Sequence, residues 1–187
     1  MEKELKEIYA LKVYKEEYRN KTHFTNERES VYGEITQKAT DSLVSRFNEY
    51  FNENTVFYDL GCGLGKMVIH LGMQYKLKKS CGIELSKERI QGANDLKQTY
   101  CMDYDNITFI NKSFFDCDLS DSTVVYYDNT MYDIEFDEKI MELLPKGCLI
   151  IFRRSPQNVE GREIIKIKDE SLITTYRKTH IYYMIKE

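Results

Sequence analysis

The sequence predicts an α/β fold in which a mainly parallel sheet carries helices on both faces and ends in strands only. Between residues 55 and 152, short apolar stretches alternate with helix-like patterns. Parallel strands need helical crossovers, and these crossovers bury the sheet on both sides. After residue 162, three strand-like stretches follow one another with no space for a helix of ordinary length. A short helical segment precedes the sheet.

The composition indicates one compact domain. The chain has 187 residues, of which 42% are hydrophobic, and this is enough for a sizeable core. It contains no apolar run near the ~20 residues of a membrane span. Its first twelve residues, MEKELKEIYALK, are too charged for a secretory signal peptide. We therefore expect an intracellular monomer without membrane contact.

The net charge and the positions of the cysteines and histidines argue against a nucleic-acid-binding, a disulfide-rich or a metal-binding protein. The net charge of −4 argues against a strongly basic nucleic-acid-binding face. Direct DNA binding is therefore expected to be weak or limited to a patch such as Lys76, Lys78 and Lys79. The five cysteines are scattered without a CxxC pair and the three histidines are far apart. Neither a disulfide framework nor a metal site is predicted.

The individual elements follow from hydrophobic periodicity. Apolar residues recur at helical spacing over the first twenty residues and again over 36–51, whereas residues 21–34 have no sustained period and predict a loop. Strands are predicted at 55–60, 80–85, 106–110, 123–128, 148–152, 163–169, 171–177 and 178–187. Helices are predicted over 67–75, after a capping Ser86, and along Phe136, Ile140, Leu143 and Leu144. We divide the chain into a helical segment, 1–51, and a core, 52–187.

A glycine-rich loop joins the first predicted strand to the next helix. A phosphate-binding P-loop would need glycine at position 60 and Ser or Thr at position 67, where this chain has Leu60 and Met67. A dinucleotide-binding GxGxxG would need glycine in place of Lys66. The pattern that remains is Asp59-x-Gly61-x-Gly63-x-Gly65. It places an acid at a strand end and glycines where the backbone can approach a ligand closely.

A second acid completes a predicted cofactor site. Glu84 ends the next strand, where a carboxylate can accept both hydroxyl protons of a ribose. Ligands of open α/β sheets bind at the carboxyl ends of the strands, so Asp59 and Glu84 border one crevice. Two acids beside a glycine turn suit a positively charged nucleoside, and S-adenosylmethionine is such a ligand. Asp128 and Asn129 end a further buried strand and are expected to face the same crevice.

Several motifs extend this interpretation to a family. The stretches FYDLGCGLGK, GIELS and YYDNTMY and the closing strand pair resemble the class I, or seven-strand, S-adenosylmethionine-dependent methyltransferases, whose Rossmann-like sheet ends in an antiparallel hairpin. VYGE (31–34), NKSFFD (111–116), DNTMYDIEFDEKI (128–140) and HIYYMI (180–185) are similar, in order and spacing, to the non-SET histone lysine methyltransferases. That family is named for disruption of telomeric silencing and modifies a core lysine of histone H3. The resemblance runs from about residue 31 to the end of the chain.

The resemblance implies a function and a set of site residues. It implies a protein-lysine N-methyltransferase that uses S-adenosylmethionine, acts on histone H3 in nucleosomes, and is nuclear if chromatin is the substrate. The implied cofactor-binding residues are Tyr32, Glu34, Asp59, Gly61, Gly63, Gly65, Glu84, Ser113 and Phe114. Among them, Tyr32 and Glu34 belong to a loop of about 21–35 that closes over the methionine part, and Ser113 and Phe114 contact the adenine. The implied transfer residues are Asp128, Asn129 and Tyr182, the last lining the lysine entrance.

The chain departs from the family pattern around the transfer residues. The family usually has two asparagines where this chain has Asp128 and Asn129, and an aromatic residue where it has Thr130. Two alternatives stay open for this reason. One is a methyltransferase of a non-histone protein, a nucleic acid or a small amine, although the missing Pro-Pro after the acid counts against base methylation. The other is a catalytically weak partner protein that binds S-adenosylmethionine.

Overall fold

A computed structural model describes residues 1–11, 33–157, 164–167 and 180–187. The strands are β1 (Val56–Leu60), β2 (Lys79–Glu84), β3 (Ile107–Asn111), β4 (Val124–Tyr127), β5 (Leu149–Phe152), β6 (Ile165–Ile167) and β7 (Ile181–Ile185). The helices are α1 (Glu2–Ala10), α2 (Gln37–Arg46), α3 (Lys66–Gln74), α4 (Lys87–Tyr100) and α5 (Ile134–Leu143). The predicted strand at 171–177, most of the predicted loop at 21–34, and Tyr32 lie outside the described residues.

The strands form one sheet in the order β3-β2-β1-β4-β5-β7-β6. The first five strands along the chain pair in parallel, while β7 lies antiparallel to both β5 and β6. The predicted α/β architecture with an antiparallel carboxyl-terminal strand pair is confirmed. Because the parallel strands share one direction, the loops that follow β1 to β5 meet at a single edge of the sheet.

The two faces of the sheet bury separate apolar layers. Alternate residues of each strand point to opposite faces, so Phe57 and Tyr126 pack in one layer while Tyr58 and Tyr127 pack in the other. The first layer lies under α1, α2 and α3, and its members include Leu5 of α1. We call this side the front face. The second layer lies under α5, and we call that side the back face.

Three helices show how local chemistry sets an element's bounds. The predicted Ser86 cap of α4 is confirmed, since the Ser86 hydroxyl oxygen accepts a hydrogen bond from the Arg89 N–H at 3.3 Å. The helix predicted over 36–51 instead ends at Arg46 and continues as a 3-10 turn, Asn48–Tyr50. In α5, the buried residues are Asp137, Ile140 and Met141, so the inward stripe differs from the predicted one. Its buried acid, Asp137, accepts hydrogen bonds from Asn129 and Arg154.

Candidate active site

The glycine loop after β1 has a backbone shape that favours glycine. Gly61, Gly63 and Gly65 have φ angles of 86°, 56° and 67°, a region that side chains with a Cβ rarely adopt. At Gly65 an added Cβ would also lie 2.1 Å from the Phe109 ring. The N–H groups of Gly61 and Cys62 both donate to the Ile83 carbonyl, at 2.8 and 3.1 Å. The loop is therefore fixed to β2, and α3 begins immediately after it.

Three carboxylates from three strands meet at the edge that carries this loop. Asp59 lies in β1 with only 7% of its surface exposed. Burial is the largest cause, and together with the negative charges of Asp128 and Glu84 it raises the pKa of Asp59 to about 8. A site that holds a carboxyl in this way favours a positively charged ligand, because a cation relieves the repulsion among the three acids.

Glu84 is held in a defined orientation. One carboxylate oxygen accepts from the Gly63 N–H at 3.1 Å, and the other accepts from the Ser86 N–H at 2.9 Å. The Arg89 guanidinium lies 3.7 Å from the first oxygen. Each carboxylate oxygen offers two lone pairs, so this arrangement leaves acceptor capacity for ligand hydroxyls. The geometry suits the ribose role predicted for Glu84.

An aromatic cluster lies beside the glycine loop. The Ser113 hydroxyl caps the 3-10 turn after β3 by accepting from the Phe115 N–H at 3.3 Å. The Phe114 ring lies in edge contact with Tyr127 and Tyr132, with centroids 5.9 and 5.7 Å apart. A Cβ added at Gly61 would lie 3.3 Å from the Tyr132 hydroxyl. Phe114 therefore belongs to an apolar wall that reaches the loop, and Ser113 caps the turn that carries Phe114.

The end of β4 presents Asp128 and Asn129 to different faces. The Asp128 side chain is 42% exposed, and its Oδ2 atom lies 3.7 Å from Nη1 of Arg153. Its Oδ1 atom accepts hydrogen bonds from the backbone N–H and the hydroxyl of Thr130. Asp128 is therefore the member of the predicted pair that borders the crevice.

Asn129 instead belongs to a buried network on the back face. Its amide N–H donates to Asp137 at 3.1 Å, and its amide oxygen accepts from the Arg154 N–H at 2.8 Å. The Arg154 guanidinium donates to the other Asp137 oxygen at 3.0 Å. Asn129 begins the 3-10 turn Asn129–Met131, which Asp128 caps, and its hydrogen bonds to Asp137 and Arg154 direct it away from the crevice that it was predicted to face.

Tyr182 also lies on the back face. It pairs with Phe152 across β5 and β7 and packs against the apolar layer under α5. Its neighbour Tyr183 points to the front face, where its ring lies 4.8 Å from that of Phe47. The described structure therefore does not bring Tyr182 together with Asp128 on one face. The lysine-entrance role predicted for Tyr182 stays a prediction.

Glu34 reaches the glycine loop through a buried lysine. Nζ of Lys66 lies 2.9 Å from the Glu34 carboxylate and 2.6 Å from the Leu11 carbonyl. The Lys66 side chain is only 3% exposed. Lys66 thus joins the residues that flank 12–32 to the first turn of α3, which places Glu34 near the predicted cofactor site.

Sequence reasoning missed the charged residues that support the site. These residues are Lys66, Arg89, Asp137, Arg153 and Arg154. Two signals were available: the Arg-Arg pair directly follows the fifth strand, and an acid stands among the apolar positions of the helix after β4. The predicted lysine patch is separate from this site, because Lys79 begins β2 at the end opposite Glu84 and pairs with Asp121 at 3.0 Å.

Comparison with known proteins decides the family. A family model described as "Histone methylation protein DOT1" matches residues 9–187. The chain belongs to the DOT1 family. The family resemblance seen in the motifs is thereby confirmed, and so is the prediction of a class I methyltransferase that uses S-adenosylmethionine.

Named relatives fall into two groups. A "Protein-lysine N-methyltransferase" of Saccharolobus islandicus is 26% identical over 129 residues, which are 65% of this chain and 76% of that protein. The "Histone-lysine N-methyltransferase, H3 lysine-79 specific" proteins of Caenorhabditis elegans and Candida glabrata are 26% and 24% identical. Those matches cover 69% and 65% of this chain but only 15% and 21% of the two relatives.

Solved structures share the fold of this DOT1-family chain. An RNA methyltransferase from Salinibacter ruber in complex with S-adenosyl-L-homocysteine has a TM-score of 0.64 at 19% identity, covering 80% of this chain and 91% of that one. A SAM-dependent methyltransferase from Aquifex aeolicus has a TM-score of 0.58 at 13% identity, covering 79% and 89%. Across the part of the chain that is described, no helix is both long and apolar enough to span a membrane.

Proposed function

We propose that this DOT1-family chain transfers a methyl group from S-adenosylmethionine to the side-chain amine of a protein lysine. A histone H3 lysine in nucleosomes is the leading substrate. Membership of the family and the lysine-methyltransferase names of the relatives support the proposal. The observation that carries it is the meeting of Asp59, Glu84 and Asp128 beside the glycine loop. With a chromatin substrate the enzyme would work in the nucleus, and with another protein in the cytoplasm.

The residues that are present fit the cofactor. Asp59 would face its ammonium group, Glu84 its ribose hydroxyls, and Phe114 its adenine, while the positive φ angles from Gly61 to Gly65 let the loop backbone lie close to the ligand. When bound, S-adenosylmethionine would supply a methyl group on a positively charged sulfur: an N–C bond to an amine would form as the C–S bond breaks, and the sulfur would leave as a neutral thioether. The positive charge of this ligand would favour the ionised form of Asp59 and would thereby lower its raised pKa again.

The chain's remaining task is to deliver an uncharged and aligned amine. Lysine has a reference pKa of about 10.4, so most lysine side chains carry a proton at neutral pH. An apolar surrounding disfavours the charged form, and the aromatic cluster around Phe114 and Tyr132 supplies such a surrounding beside the crevice. Asp128, which borders the crevice, would accept a hydrogen bond from an N–H group of the amine. This bond would direct the nitrogen lone pair toward the methyl group.

The direct test identifies the methylated atom. Purified protein is incubated with methyl-labelled S-adenosylmethionine and, in parallel, with nucleosomes, free histones and cell-extract protein. Mass spectrometry then locates the label, which we expect on a lysine side chain. Absence of labelled lysine from every fraction would refute the proposal. Label on a nucleic acid or a small amine would support the alternative enzyme, and binding without transfer would support the partner protein.

Two variants separate binding from transfer. Glu84→Ala should weaken binding of S-adenosylhomocysteine about tenfold, since the carboxylate proposed to bind the ribose hydroxyls is lost. Asp128→Ala should leave this affinity within about threefold and lower the turnover rate. Calorimetry and single-turnover kinetics measure the two quantities. Equal losses of affinity in both variants would show that Asp128 belongs to the cofactor site.

A further inference from the structure

We propose that Arg153 is a positioning residue that neutralises Asp128 and thereby favours entry of the substrate amine in its uncharged form. The inference rests on the proposed function and extends it to a residue outside the predicted site. It addresses a difficulty that Asp128 creates, because a carboxylate beside an amine stabilises the unreactive ammonium form.

The strand register places the two residues side by side. Tyr127 of β4 pairs with Phe152 of β5, so the next residue along each strand is Asp128 in one case and Arg153 in the other. The Arg153 side chain is 6% exposed and the Asp128 side chain is 42% exposed, with 3.7 Å between Nη1 and Oδ2. The guanidinium therefore lies behind the carboxylate, and the carboxylate faces the crevice.

Both partners are held in place from other directions. Arg153 donates a hydrogen bond to the hydroxyl of Tyr126, which is 5% exposed. Asp128 accepts two hydrogen bonds from Thr130 through its other oxygen. Thr130 stands where the family usually has an aromatic residue, and Asp128 stands where it usually has asparagine. Asp128, Thr130 and Arg153 form one hydrogen-bonded and ionic unit at this position.

Electrostatics explain why such a unit needs a cation. Among the described residues, the titratable groups that interact with Asp128 are Asp59 of β1, Tyr126 and Tyr127 of β4, and Arg153 directly after β5, while Glu84 of β2 interacts with Asp59. A bound cofactor cation offsets the charge of Asp59, which leaves Asp128 as the acid nearest the incoming amine. The guanidinium of Arg153 offsets this last charge. An Asp128–Arg153 pair then resembles a neutral acceptor, as an asparagine would be.

The test is the pH dependence of methyl transfer in four proteins: wild type, Arg153→Gln, Asp128→Asn and the double variant. In Arg153→Gln, the half-maximal point of the kcat/KM profile should move up by about one pH unit. Activity at pH 7.5 should fall about tenfold, which is the rate equivalent of one unit. The double variant should recover the wild-type profile, because it lacks both charges. A residue that only supports folding would not be rescued by a second substitution at Asp128.

Controls distinguish the possible failures. Arg46→Gln removes an exposed arginine of α2 and should leave the profile unchanged, and Arg153→Lys should retain most of the wild-type behaviour because it keeps the charge. If the wild type is active and the pH profile of Arg153→Gln does not shift, the inference fails but the proposed function stands. The same conclusion follows if the profile of the double variant stays shifted. A wild type that methylates no amine overturns both the inference and the proposed function.

Discussion

The two faces of the β4 end use similar groups in different surroundings. On the front face, Asp128 meets Arg153, and the carboxylate side chain is 42% exposed. On the back face, Asn129 meets Asp137 and Arg154, and the Asp137 side chain is fully buried. An exposed carboxylate such as Asp128 is solvated by water and contributes little to stability, whereas removal of the fully buried Asp137 leaves its donors without an acceptor and is costly. The front pair is therefore free to serve the reaction, while the back network holds the strand end in position.

Substitution at Asp137 should give the largest effect on folding. Asp137→Ala removes the acceptor of the Asn129 amide, the Arg154 guanidinium and the Gln157 N–H. The free energy of unfolding should fall by about 3 kcal/mol, because these buried donors lose their partner. Chemical denaturation followed by circular dichroism measures this difference.

The matched control for Asp137 lies on the front face. Asp128→Ala should lower the free energy of unfolding by less than Asp137→Ala does, since the Asp128 carboxylate is 42% exposed and solvated whereas Asp137 is fully buried. If the two alanine variants unfold at the same denaturant concentration, the two faces do not differ in the way described.

Substitution of Asp59 should change the free energy of unfolding by an intermediate amount that depends on pH. Its pKa in the folded protein is about 8 against an ordinary value of 3.8, so the folded state holds this proton more tightly than the unfolded state. The contribution of Asp59 to stability is therefore greatest below about pH 4 and is lost as pH rises toward 8. Asp59→Asn removes this loss, and without cofactor its stability relative to wild type should be higher at pH 8 than at pH 5.

The same variant should bind the cofactor worse. An asparagine side chain carries no charge, hence Asp59→Asn should lower the affinity for S-adenosylhomocysteine at least tenfold, on the order of one lost charge-assisted hydrogen bond. Unfolding experiments at pH 5 and pH 8, together with calorimetric titration, test the two effects. A variant with equal stability differences at both pH values would show that folding does not raise the pKa of Asp59.

The comparison of faces also marks what the sequence could predict. The strands, the Asp59 and Glu84 positions and the glycine loop were predictable, because periodicity and strand-end chemistry are local properties. The separation of Asp128 from Asn129 depends on where the extended strand gives way to the 3-10 turn Asn129–Met131. The partners Arg153, Arg154 and Asp137 come from later segments, so only the register of β5 and the packing of α5 bring them to this position.

Replacement of two adjacent tyrosines by phenylalanine should give the smallest changes in the free energy of unfolding, and these changes should have opposite signs. Tyr126 points to the front face, where its hydroxyl bonds with Arg153, and Tyr127 points to the back face, where its buried hydroxyl has no hydrogen-bond partner among the described residues. Tyr126→Phe should lower the free energy of unfolding by about 1 kcal/mol, because it removes a hydrogen bond. Tyr127→Phe should raise it by up to about 1 kcal/mol, because it removes a buried polar group that lacks a partner. Denaturant midpoints measured side by side give both signs. Equal losses in both variants would indicate that the Tyr127 hydroxyl has a partner on the back face, and the contrast drawn between the faces would then fail at this position.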